Sequence, residues 1–559
     1  MKKFFNLITV FIAMLAVFFT VSVFTIGAVN HTGESTHYEK GTTLYYEVNK
    51  ATGKDDLDAI YLNIGAIHAP VGETVTVTVK YSTSSTGTSF STFGKALKIE
   101  NYTGEQNYNW VCVAKGQKLG KSAASMRISI SATSTLELNE VVCFKSNGER
   151  LTLGYSSSNK EYTRSEVLKG IDKQNSFVEA DSSFYNFTNA EAITLASIKN
   201  IARGNDYAGT GEYTLASEYN YFANLLMLPS VAMFGESTFA LRLPSVIATT
   251  VLIGVAFLFI KLLTKNTLAS LISTAVFTPS LGVTLARTGG AYAFVACFLL
   301  VSAYFAYQFF AKGVYSKAVV KSSLPVFYAG LFSALALAVD TTAIFPVLGV
   351  ATILAFGWRR QALAKKIELA QGKTDERIIK ADYNRKDRVT ACFAIVSFFG
   401  VYFILALLST IICYPAIARC YSADISFGSA IWEGISQSFI GGNALSTSSV
   451  GSVFGWFVGV SGSIGYLLFS IVGFLSLCSV LALVIYAFVK KQNGKADLRL
   501  RRYALVLVGG MLCSLVAGLV KPSVSLAYFS LFGLFYGAVI VTAVYLGVHY
   551  FIKRKGNRQ

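Results

Sequence analysis

Long apolar runs alternate with short basic loops along most of this chain. A helix that crosses the ~30 Å hydrocarbon core needs roughly 17–25 apolar residues. Such runs stand at Phe4–Ala28, Ala240–Leu263, Leu268–Ala286, Tyr292–Ala311, Leu324–Val339, Ala343–Trp358, Ala391–Ile412, Ser463–Val489, Tyr503–Val520 and Leu526–Ile552. The pattern predicts a polytopic α-helical membrane protein of about ten spans. The first run follows Lys2 and Lys3 and shares that basic start with signal peptides. It is longer than the ~7–15 residues of a signal peptide's apolar stretch, so a retained anchor is expected. Small residues at Gly27–Ala28 keep cleavage as the alternative.

Residues 29–160 follow a different rule. Thr74–Tyr81 and Met126–Ser131 alternate apolar and polar positions, and Leu136–Cys143 and Leu151–Leu153 read similarly. Period two marks strands buried on one face. Several short strands punctuated by Gly, Ser, Asn and Thr predict an extracytoplasmic β-sandwich inserted after the first span. The run Leu138-Asn139-Glu140-Val141-Val142, with Asn147-Gly148-Glu149 after it, resembles the end of a galactose-binding-like jelly roll. That resemblance implies a carbohydrate-binding ancestry. Residues 161–239 are expected to form juxtamembrane helices. Thr188-Asn189-Ala190-Glu191 is a capping box that opens one of them, with Gly204 as its stop. Tyr219–Phe234 is apolar but too short to span, contains Pro229, and is expected to lie along the interface.

Composition sharpens this division. The chain has 559 residues, 53% hydrophobic and 14% charged, with a formal charge of +18. Mean hydropathy is +0.50. Disorder is excluded by the 42 Phe and 30 Tyr, which supply abundant burial. The charge is not a nucleic-acid footprint, because it sits in alternate loops. Lys261 and Lys265, then Lys312, Lys317 and Lys321, then the stretch 359–388, then 490–502 and the tail are all basic. Their basic excess of about 20 accounts for the whole net charge. By the positive-inside rule both termini and the loop 359–390 are cytoplasmic, while residues 29–239 lie mostly outside. The segment 29–160 is nearly neutral, about thirteen basic against twelve acidic residues. Cys112 and Cys143 either pair in an oxidising compartment or remain buried thiols. His31, His37, His68 and His549 show no metal-ligand spacing, and no Walker A or GxGxxG phosphate loop occurs.

Entering the second span, Phe234-Gly235-Glu236-Ser237 leads to Phe239-Ala240-Leu241-Arg242-Leu243-Pro244-Ser245. This run resembles C-fold (GT-C) glycosyltransferases that use polyprenyl-phosphate sugars, and among them the protein O-mannosyltransferase family. The resemblance covers about Asp172 to Pro346. It implies transfer of a hexose or mannose-like sugar, from a polyprenyl-phosphate donor to a protein, glycan or lipid acceptor, on the outer membrane face. A divalent metal is possible in such a family, and no metal ligand is assigned here. The family's catalytic acid falls on Glu191, as a base for an acceptor hydroxyl. Its paired carboxylate falls on Ala192, a further Asp falls on Gly290, and a His-Pro-Pro run is replaced by Tyr219-Asn220-Tyr221.

Cations at outer span ends are the minority class under the positive-inside rule, so Arg242, Arg287, Lys521 and Arg419 are candidates for binding lipid phosphate. The bland reading of each is headgroup anchoring, and that of Glu191 is helix capping. Asp340, Asp181, Glu179, Asp206, Asp424 and Glu433 are secondary acids. The alternative function is a non-catalytic, membrane-anchored glycan-binding or cell-envelope assembly protein that has lost transferase activity. A coupled transporter is disfavoured because the spans hold few ionisable groups.

Overall fold

The computed structural model describes residues 2–26, most of 36–154, parts of 191–201, nearly all of 220–432, and parts of 506–538. Helix α1 (Lys2–Thr25) is followed by the strands, and then by a helical array. That array comprises α2 (Tyr221–Phe234), α3 (Thr238–Thr264), α4 (Thr267–Phe277), α5 (Val283–Ala286), α6 (Tyr292–Lys312), α7 (Val319–Val339), α8 (Ile344–Gln371), α9 (Glu376–Ile395) and α10 (Val401–Tyr421). Six helices among the described residues are long and apolar enough to cross a membrane. The chain is therefore a multi-pass helical membrane protein. The span expected at 463–489 lies outside the described residues and that at 526–552 largely so, while the described positions of 503–520 are helical.

The span expected at Leu268–Ala286 is interrupted. Helix α4 ends at Phe277, a π-helical turn occupies Thr278–Gly282, and α5 follows. Pro279 lacks the N–H that an α-helical ladder needs at this point, which is a usual cause of such a turn. The basic loop 359–388 is helical as well. Helices α8 and α9 continue through it and are joined across the hairpin. Gln361 Nε2 donates to Asp387 Oδ1 at 2.8 Å, and the Tyr383 hydroxyl donates to Glu368 Oε2 at 3.1 Å.

Among the described residues between 36 and 154 ten strands form, all paired antiparallel. They are β1 (Thr36–Tyr38), β2 (Leu44–Asn49), β3 (Ala59–His68), β4 (Thr74–Ser82), β5 (Ser91–Thr92), β6 (Leu97–Glu100), β7 (Trp110–Ala114), β8 (Met126–Ala132), β9 (Thr135–Phe144) and β10 (Arg150–Gly154). The order is β5-β4-β8-β2-β10-β9-β3-β7, with β6 also on β4 and β1 also on β9. β10 joins two sets, pairing with β9 through Arg150 and Leu151 and with β2 through Thr152 to Gly154. Val75, Val77 and Val79 of one set share an apolar cluster with Ile60, Leu62 and Val141 of the other. Strand β3 carries buried residues on both faces, with Ala59 and Tyr61 in one cluster and Ile60 and Leu62 in another. Its apolar run therefore hides the period-two signal that marks β4 and β8.

Cys112 and Cys143 are not joined in a disulfide. Cys112 on β7 stands opposite Tyr61, and Cys143 on β9 stands opposite Ile60. Strand β3 lies between them, which puts them about 10 Å apart, and adjacent residues on β3 face opposite ways. That separation exceeds the ~7 Å Cα limit for a disulfide. The cross-link is therefore not formed, and of the two thiols Cys143 is buried while Cys112 is half-buried. Burial pushes the Cys143 thiol well above its ordinary pKa.

Candidate functional site

The C-terminal end of α1, the N-terminal end of α3 and the turn before α6 meet at one end of the helical array. Phe11 of α1 stacks on Phe257 of α3, with ring centroids 4.0 Å apart, and this packing sets α1 alongside α3. The start of α3 is fixed by Ser237, whose hydroxyl accepts from the Ala240 N–H at 3.1 Å.

The Leu241–Ser245 run explains how this end is assembled. Pro244 has no N–H, so the Ala240 carbonyl one turn earlier lacks its helical donor. Ser230 of α2 takes that place, its hydroxyl donating to the Ala240 carbonyl at 2.6 Å. Ser245 donates to the Gly290 carbonyl at 3.1 Å. Leu241 and Glu191 close over Gly289, where a Cβ would lie 2.8 Å from Leu241 Cγ and 2.9 Å from Glu191 Oε1. Gly290 has φ +114°, in the region that favours glycine. Pro244 thus frees a carbonyl that ties α3 to α2, while Leu241 and Ser245 tie it to the turn before α6.

Arg242 and Glu191 form the centre. Arg242 Nε donates to Glu191 Oε1 at 2.7 Å, and Nη2 donates to Oε2 at 2.8 Å. This is the two-pronged geometry that a guanidinium and a carboxylate favour. Arg242 Nη1 donates to the Ile26 carbonyl at 3.3 Å, and the Gly289 N–H donates to Glu191 Oε1 at 2.5 Å. Glu191 is 0% exposed and Arg242 1%. The carboxylate is therefore held by residues 51 and 98 positions away in sequence. Thr188, its expected capping partner, lies outside the described residues.

Arg287 follows α5, two residues before Gly289. It is partly exposed and donates through Nη2 to the Thr25 hydroxyl at 2.7 Å. The structure thus brings together Glu191, Arg242 and Arg287. Arg419 is in α10, but its side chain is outside the described residues, as is the whole of Lys521. Of the secondary acids, Asp181, Glu179, Asp206, Asp424 and Glu433 are also outside them. Asp340 is buried at the end of α7. It accepts from the Thr342 N–H at 3.1 Å, the Thr342 hydroxyl at 2.5 Å and the Tyr528 hydroxyl at 2.7 Å. Tyr528 is a partner that sequence reasoning missed, because nothing local links residues 340 and 528. Thr342 is a near neighbour whose side chain was readable as a local partner but was not singled out.

Among the described residues no group of three or more His, Cys, Asp or Glu is gathered as a metal ion would require.

No family model matches the chain, and no curated protein matches it. Several solved structures are similar to it at low identity. One is the archaeal oligosaccharyltransferase AglB from Archaeoglobus fulgidus, in complex with an inhibitory peptide and a dolichol-phosphate. It is 12% identical, with a TM-score of 0.33, over 66% of this chain and 48% of that one. The oligosaccharyltransferase of the same organism in its apo form gives 11% identity and a TM-score of 0.35, over the same shares. ArnT from Cupriavidus metallidurans, bound to undecaprenyl phosphate, gives 13% and 0.26, over 64% of this chain and 73% of that one. The chain thus spans about half the length of the archaeal enzyme. TM-scores this low carry no functional weight, and the function proposed below rests on this chain's own residues.

Proposed function

We propose that this protein is an integral-membrane glycosyltransferase. It moves a hexose or mannose-like sugar from a polyprenyl-phosphate donor to an acceptor hydroxyl on the outer membrane face. The observation that carries this reading is the buried Glu191–Arg242 pair beside Arg287, at the mouth of a bundle of apolar helices. Ionisable groups at membrane depth are costly and tend to mark functional sites. A carboxylate and two cations are also the groups that the reaction needs.

In this reading Arg287, which is partly exposed, meets the lipid phosphate first. The phosphate then draws hydrogen bonds from Arg242, which frees Glu191. Glu191 takes the proton of the acceptor hydroxyl as its oxygen attacks the sugar's anomeric carbon. The bond from that carbon to the phosphate oxygen breaks, and the lipid phosphate leaves with the electron pair, its charge held by the arginines. The unliganded pairing of Glu191 and Arg242 is the resting state of this cycle.

The same proposal includes the finer architecture. It has about ten spans, both termini cytoplasmic, and residues 29–239 mostly outside, where residues 29–160 form a jelly-roll-like sandwich suited to a glycan. The protein O-mannosyltransferase resemblance of the Phe234–Ser245 run belongs here too. The second reading is a glycan-binding assembly protein without catalysis. It is favoured by the closure of Glu191, whose carboxylate is fully paired and shut from water.

The test is release of lipid phosphate from radiolabelled polyprenyl-phosphate mannose by the purified protein. Wild type should turn over, Arg287→Ala should raise KM for the donor, and Glu191→Gln should abolish turnover in protein that still inserts. Turnover retained in Glu191→Gln would remove Glu191 from the chemistry.

A further inference from the structure

A second polar site lies at the N-terminal end of α2, away from the Glu191 pair. Asn220 caps this helix and is bound to the end of α7. Its backbone N–H donates to the Val339 carbonyl at 3.0 Å, and its Nδ2 donates to the Leu337 carbonyl at 3.0 Å. Its Oδ1 is buried with no partner, on a residue only 7% exposed. One turn on, Asn224 is 1% exposed, and neither its amide oxygen nor its amide nitrogen is hydrogen-bonded. On α10, Ser409 and Thr410 donate their hydroxyl protons to the Ala406 carbonyl, at 3.1 and 2.8 Å. Their oxygens are left with lone pairs only.

Asn220, Ser409 and Thr410 border one crevice, with Tyr221 at the α2 end, Ala338 of α7 and Tyr402 of α10 also in its lining. Its volume is about 20 Å³. That is room for one water or one hydroxyl group. An unpaired buried polar atom is costly, so a fold that keeps Asn220 Oδ1 here calls for a partner. Asn220 Oδ1 and the lone pairs of Ser409 and Thr410 offer acceptors, and the hydroxyls of Tyr221 and Tyr402 in the same lining can donate as well as accept. No carboxylate lines the crevice, so a cation gains little there. The fitting partner is a neutral O–H donor.

We infer that this crevice is a subsite that reads one hydroxyl of a sugar ligand, with Asn220, Ser409 and Thr410 as its acceptors. The identity of the ligand as a sugar rests on the transferase reading above. In the absence of sugar a single water fills the same place. The arrangement makes these three residues determinants of which sugar is accepted, because an epimer or deoxy sugar that lacks that hydroxyl leaves the acceptors unpaired.

The test measures binding by the full-length protein in nanodiscs, without any donor lipid. The probes are methyl α-D-mannopyranoside, methyl β-D-glucopyranoside and the monodeoxy analogues of each. At least one parent glycoside should bind wild type, and one of its deoxy analogues should bind about tenfold more weakly. Thr410→Val and Ser409→Ala/Thr410→Val should lose a similar factor for the parent, and should bind parent and that deoxy analogue alike. These substitutions remove only hydroxyls bonded within their own helix, so the fold is kept. Failure of every glycoside to bind, equal binding of all deoxy analogues, or variants as tight as wild type would each overturn the subsite and leave a water-filled crevice. Because the readout needs no turnover, a protein that binds glycosides in this pattern but transfers nothing would sink the transferase reading alone.

Discussion

Replacing Glu191 by leucine removes one side of a buried ion pair, and the structure sets the size of the effect. Arg242 would keep its charge at 1% exposure with only the Ile26 carbonyl, at 3.3 Å, among the contacts described above. Leaving one member of a buried pair uncompensated costs about 3–5 kcal/mol. The Gly289 N–H also loses its acceptor, for about 1–3 kcal/mol more. Glu191→Leu alone should therefore destabilise by at least about 4 kcal/mol. Arg242→Met should cost less, because a carboxyl group left alone can take up a proton and still accept from Gly289. The double variant Glu191→Leu/Arg242→Met carries no orphan charge, and apolar replacement of a buried pair is often neutral or better. It should sit well above Glu191→Leu in stability, with a coupling energy of about 3 kcal/mol or more. Denaturation of the four proteins in mixed micelles completes the cycle. A Glu191→Leu loss below about 1 kcal/mol, or a double variant that costs the sum of the singles, would refute the pairing as the structural centre of this end.

Two further outcomes follow from the same geometry. Gly289→Ala places a methyl group within 3 Å of Leu241 Cγ and Glu191 Oε1, so it should destabilise by about 1–3 kcal/mol, read by the same denaturation. An unchanged midpoint would mean that the turn before α6 yields freely. Native protein should show no Cys112–Cys143 disulfide under oxidising conditions. Its Cys143 thiol, buried and raised in pKa, should react with a thiolate-selective alkylating reagent far more slowly than partly exposed Cys112. A Cys112–Cys143 cross-link found by peptide mapping would contradict the strand order.

How much of this was legible depends on the range of the interaction. Span positions and the strands at β4 and β8 are written in local periodicity, and the structure places Thr74–Ser82 and Met126–Ala132 where that pattern puts them. Strand β3 is buried on both sides, so alternation could not reveal it. Pro279 was visible, yet a hydropathy window averages over it and does not see the π turn it accompanies. The Leu241–Ser245 run was readable as a unit, but its meaning was not. Ser230 serves the carbonyl that Pro244 frees, and Arg242 reaches a carboxylate 51 residues away, which only the packing of separate elements can bring about. Read locally, Glu191 is a capping residue. Its described partners are a guanidinium and a backbone amide from two other parts of the chain. For the cysteines, sequence left two outcomes open because the choice turns on strand order, with β3 between β7 and β9.

The claim on which the rest depends is that this protein moves a sugar off a polyprenyl-phosphate carrier. The direct measurement is sugar transfer by the purified wild-type protein in proteoliposomes supplied with radiolabelled polyprenyl-phosphate mannose or glucose and a membrane extract as acceptor. The account predicts label in the acceptor fraction, an equivalent amount of free polyprenyl phosphate, and loss of both with Glu191→Gln. Donor that stays intact with both sugars, while the wild-type protein is folded by its denaturation profile, would contradict it.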